Sequence, residues 1–134
     1  MTEINEGTVA RYCKPSTLNE QGLPTGSSFQ LRLPNEKYLS VHLLDYFNVA
    51  SEQEKIIEVK NEMERKGFSF KKNGTFSTLN IEHSKKHILD LVSEKISYQE
   101  LNLPHCGIFH EADDLLISEL LSQCVKNTYP IKEV

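Results

Sequence analysis

Short alternating runs dominate the first fifty residues of this chain, and helical spacing of apolar positions takes over later. Thr8-Val9-Ala10-Arg11-Tyr12-Cys13 is rich in β-branched and aromatic residues and is ended by Lys14-Pro15, because proline cannot donate to a strand ladder; a first strand is predicted there. Residues 14–28 hold Pro15, Gly22, Pro24, Gly26 and adjacent serines, which predicts a long turn-rich loop. Phe29-Gln30-Leu31-Arg32-Leu33 and Tyr38-Leu39-Ser40-Val41-His42 both alternate, with Pro34-Asn35-Glu36 between them, so a hairpin is expected. Leu43-Leu44-Asp45-Tyr46-Phe47 is too densely apolar for periodicity to assign, and it should be buried as strand or as helical turn.

Ser51 followed by Glu54 has the form of a capping box, and Ile56, Val59 and Met63 then recur at helical spacing until Gly67. The pattern predicts a helix over about 52–66. Phe68 and Phe70, then Asn73-Gly74, then Phe76-Ser77-Thr78-Leu79-Asn80-Ile81 read as a second hairpin with a type I′ turn. His83 to Val92 fits a short helix, with a strand over 88–92 as the alternative. A further strand is expected after Pro104, through Cys106-Gly107-Ile108-Phe109. Asp113 or Asp114 can cap a last helix whose face carries Leu116, Ile117, Leu120, Leu121 and Cys124, with Pro130 beyond it. This order argues for one α+β domain over 1–134, a mainly antiparallel sheet of hairpins with two or three helices packed on it.

Composition narrows the function classes. The chain has 134 residues, enough for one core, and a net charge of −4, whose average field repels phosphate and makes nucleic acid an unfavoured partner. No apolar run approaches membrane-spanning length, and Met1-Thr2-Glu3-Ile4-Asn5-Glu6 lacks a basic start or signal core, so the expectation is no membrane association. Cys13, Cys106 and Cys124 are widely spaced with no Cys-x-x-Cys, which argues against a disulfide framework or structural zinc and fits a reducing cytoplasm.

Candidate chemistry concentrates between His105 and Asp114. Cys106 is a nucleophile candidate if His105 or His110 takes its proton and a carboxylate such as Asp113 orients that histidine. Neighbours in a strand point to opposite faces, however, and a cysteine beside glycine and isoleucine is ordinarily a small core residue. The same segment matches no standard metal spacing, and Asp113 and Asp114 are accounted for as helix N-terminal acids, so neither a metal nor another cofactor is implied.

His83 and His87 share a helix face with Lys85 and Lys86, which reads as a solvated basic face that Lys71-Lys72 could extend toward an anion. Arg11 and Arg32 would imply a carboxylate or phosphate ligand if both point into a cleft formed by the 14–28 loop. Arg11, Ser40 and Glu111 loosely echo an ADP-ribosyltransferase trio, a combination common in α+β sequences. Gly22-Leu23-Pro24-Thr25-Gly26 lacks the Lys-Ser/Thr pair of a phosphate loop.

Arg11, Gly22 with Pro24, Phe29 with Arg32, Leu39-Ser40-Val41, His105 with Gly107-Ile108, and Tyr129-Pro130 together resemble a group of small uncharacterised bacterial proteins. That resemblance implies a bacterial or phage setting and brings no activity with it. The reading that leads is a non-enzymatic interaction module: an accessory subunit, inhibitor or immunity-type protein that binds a larger protein. Leu115, or Leu43-Leu44 with Tyr46-Phe47, are its candidate surfaces. The rival is a small enzyme or ligand-binding domain using His105, Cys106 and His110, with Arg11 and Arg32.

Overall fold

The computed structural model of this chain describes residues 2–33 and 35–134; Met1 and Pro34, the latter part of the expected Pro34-Asn35-Glu36 turn, lie outside the described residues. Among these, seven strands build one antiparallel sheet in the order β1-β5-β6-β3-β2-β4-β7. The strands are β1 (Glu3–Ile4), β2 (Thr8–Cys13), β3 (Leu39–Leu43), β4 (Thr75–Asn80), β5 (Ser97–Asn102), β6 (His105–Phe109) and β7 (Val125–Pro130). Three α-helices, α1 (Glu52–Arg65), α2 (Ile81–Val92) and α3 (Asp114–Gln123), complete an α+β domain. None of the helices described is long and apolar enough to cross a membrane.

Strand alternation divides the core in two. On one face Val9, Leu39, Val41, Leu79, Tyr98, Cys106 and Ile108 pack with Ile88 of α2 and Ile117, Leu120 and Leu121 of α3. On the other, Ala10, Tyr12 and Phe76 pack with Ile56 and Val59 of α1. Both helices that the sequence marks most clearly are capped as expected: Ser51 Oγ accepts from Glu54 N and Asp113 accepts from Leu116 N. The segment 83–92 is helix, and Asn80 caps it at the end of β4.

Neither predicted hairpin forms. Phe29 closes a 3-10 turn over Gly26–Phe29 and is buried, while Leu31 N donates to the Asp114 carboxylate in place of a strand neighbour. Strand β3 pairs instead with β2 and β6. In the second case β4 pairs with β2 and β7, and Phe68 and Phe70 surround the Tyr12 ring edge-on, with centroids 5.5 and 5.0 Å away. Asn73-Gly74 makes no type I′ turn, since Gly74 lacks the positive φ that turn requires. Glycine stands there because a Cβ would lie 2.5 Å from the Tyr12 ring.

Pro130 is not what stops the last helix, as its place in the sequence suggests: α3 ends at Gln123, β7 runs to Pro130, and a 3-10 turn, Ile131–Glu133, follows. Leu44–Tyr46 is a short 3-10 turn in which Leu44 is buried and Tyr46 exposed. The 14–28 loop is folded down by two 3-10 turns and an isolated Leu18–Pro24 bridge. Inside it Ser28 Oγ donates to Thr17, and Asn19 Oδ1 accepts from Gln21 and Leu23.

Candidate functional site

Helix α1 covers the β2–β4 part of its face and leaves the β3–β6 part open. Register sets what is displayed there: Ser40 lies opposite Gly107, and His42 opposite His105. Ser40 and His42 alternate with the core residues Leu39 and Val41, and His105, Gly107 and Phe109 alternate with Cys106 and Ile108. Ser40, His42 and His105 floor an open cleft of about 610 Å³. Tyr38, Phe109, Phe68 and Met63 contribute its apolar walls, and Arg11, Arg32 and Lys37 its basic ones. Gly107 keeps the floor clear, because a Cβ there would lie 2.9 Å from the Tyr38 ring.

The polar groups of the floor are linked. Ser40 Oγ and His105 Nε2 share a hydrogen bond of 2.7 Å, and the His42 and His105 rings lie 5.3 Å apart. His42 is only 8 % exposed, and burial, with His105 and Lys66 adding, lowers its pKa to about 4. Burial likewise lowers that of His105, with Lys66 second. Both rings are therefore neutral at physiological pH. A serine beside a histidine has the outline of a nucleophile and base, but here the neighbour of His105 is another imidazole, where a carboxylate would be needed to stabilise an imidazolium.

The residues of the 105–114 segment separate. Cys106 is fully buried in the α2–α3 core, where its thiol donates weakly to Pro104 O at 3.6 Å, and burial pushes its pKa up to about 11. His105 occupies the opposite face. His110 turns to Ala112 O at 3.1 Å and to Asp114 Oδ1 at 3.3 Å, so no hydrogen bond joins it to Cys106. Asp113 is a helix cap. All three cysteines are free and buried. Among the described residues no group of three His, Cys, Asp or Glu side chains could hold a metal ion.

Arg11 and Arg32 come together. Arg11 Nε donates to Ser28 O at 2.6 Å and Nη1 to Ser40 O at 2.8 Å, which bridges the 14–28 loop to β3. Arg32 stands beside it at the rim, and both arginines also line a second cleft, under that loop. Glu111 lines a groove elsewhere with Glu82 and Lys85, so the trio with Arg11 and Ser40 is not assembled. His83 and His87 stack 6.0 Å apart on α2, where His87 bonds Gln123 and the adjacent lysines pair with Glu3 and Asp90. Leu115, Leu116, Leu89 and Leu91 are exposed on α3 and α2.

Sequence reasoning did not single out His42, Tyr38 or Met63. Alternation alone tells that Ser40 and His42 share a face, but only the β3–β6 register sets them against His105. No family model, curated protein or solved structure matches the chain.

Proposed function

We propose that this chain is a non-enzymatic interaction module, an accessory or inhibitor-type protein that holds a segment of a larger protein in the histidine-floored cleft between β3, β6 and the end of α1. One observation carries the reading: an open cleft on the sheet, with apolar walls beside the charged groups Arg11, Arg32, Glu36 and Lys37, and with Ser40, His42 and His105 together on its floor. The occupant that fits is an apolar or aromatic side chain packed over the paired rings of Tyr38 and Phe109, whose centroids lie 5.4 Å apart. A neighbouring hydrogen-bonding group would reach Ser40 or His105. Neutral imidazoles, with Ser40 as the hydrogen-bond partner of His105 and His42 as its ring neighbour among the described residues, support binding over acyl transfer.

A photoreactive amino acid at Lys37, on the rim, tests this in the source organism. The expected result is one discrete protein adduct that disappears when Ser40→Phe fills the cleft, while a probe at Lys132 gives none. No adduct at position 37, or one that persists with the cleft filled, overturns the reading. In parallel, a serine-directed fluorophosphonate is expected to leave Ser40 unlabelled; rapid labelling there would favour a hydrolytic enzyme.

A further inference from the structure

The cleft under the 14–28 loop has an electrostatic character opposite to that of the whole chain. It encloses about 410 Å³ and is lined by Lys14, Arg11 and Arg32 with the hydroxyl residues Ser16 and Ser27, and no aspartate or glutamate is among its lining residues. The chain as a whole carries a net charge of −4. Among the described residues none of the three cations makes an ion pair. Arg11 is the most constrained of them. Two of its N–H groups are held by the Ser28 and Ser40 carbonyls, which fix the plane of the guanidinium and satisfy it only with neutral acceptors. Burial, with Arg32 adding, lowers its pKa to about 10 against the opposing influence of Cys13 and Glu36. A charge withdrawn from water without a counter-charge is costly unless something of opposite sign completes it. Glu36 faces Arg11 only from the other cleft, and its carboxylate accepts from Arg32 N.

We propose that this second cleft is an oxyanion-binding site, in which the fixed guanidinium of Arg11 with Arg32 and Lys14 receives a phosphate or carboxylate group of a ligand. Planar forked donors are matched to both groups, and the exposed serines can add hydroxyl donors. Because Lys14, Ser16 and Ser27 line this cleft and not the histidine-floored one, it stands whether or not that other cleft holds a protein segment.

Thermal unfolding of the full chain, titrated with inorganic phosphate and separately with succinate against sodium chloride of equal ionic strength, tests the proposal. At least one oxyanion is expected to raise Tm saturably, with amide shifts in nitrogen-15 NMR centred on Ser27, Ser28 and Gln30. Arg32→Gln, at an exposed position, is expected to weaken the response roughly tenfold, the scale of one lost charge-assisted hydrogen bond. Saturation by phosphate alone assigns a phosphorylated ligand, and by succinate alone a carboxylate one. A linear, unsaturable rise for both, the general effect of excluded salts, or wild-type titration by Arg32→Gln and Lys14→Gln alike, overturns it. Tyr38→Ala, which alters only the other cleft, serves as the control and is expected to titrate as wild type.

Discussion

His42 shows how much a single residue's surroundings decide. Its folded pKa of about 4 lies below the ordinary 6.5, so between these values the unfolded chain binds the proton that the folded chain refuses. Stability is therefore complete above the ordinary value and falls as pH drops through it toward 4, by up to ~3 kcal/mol if the whole shift is expressed. His105 acts in the same direction, Lys66 reinforces both, and Glu62 opposes the shift at His42. Urea unfolding at pH 7.5 and pH 5 should show this loss, and His42→Gln should flatten much of it. Cys106 provides a second residue-level test. A thiol sealed in the core should resist aromatic disulfide reagents until the protein unfolds, and Cys106→Ser, which buries a hydroxyl in its place, should cost ~1–2 kcal/mol by the same urea measurement.

At the level of elements, Asp114 does more than begin a helix. Its Oδ2 accepts from Leu31 N at 3.0 Å while Oδ1 faces His110 Nε2, so α3 clamps the segment that carries Arg32. Asp114→Ala should destabilise the fold by ~1–2 kcal/mol and speed amide exchange at Leu31 while exchange in β2 stays slow. Strand β2, helix α1 and helix α3 were legible in the sequence because each has its own local signal: a β-branched run, or caps with helical apolar spacing. The two expected hairpins failed for a shared reason. In Phe68 and Phe70 the alternation serves a ring cluster around Tyr12, and at Gln30–Leu33 the backbone is satisfied by an acid from a distant helix. Strands β5 and β7, Ser97–Asn102 and Val125–Pro130, carry too many polar residues to declare themselves; their place is decided by their partners β6 and β4. The arginine pair was readable as a conditional expectation, whereas the convergence of Ser40, His42 and His105 depends on register between strands more than sixty residues apart.

For the whole molecule, the sheet separates two packed layers that share few side chains. Ile56→Val in the α1 layer and Ile117→Val in the α3 layer should each cost ~1 kcal/mol, and the double variant should equal their sum within ~0.5 kcal/mol by denaturant unfolding. A much larger deficit would mean that the layers are energetically one. Arg11 is the thread between the loop, β2 and β3, its guanidinium held by main-chain carbonyls of the loop and of β3. Binding of the proposed oxyanion at a guanidinium tied down in this way would require little conformational ordering at the moment of contact. Its selectivity should accordingly reside in residence time more than in encounter rate, and evolved variants would retune it most easily by loosening that tether.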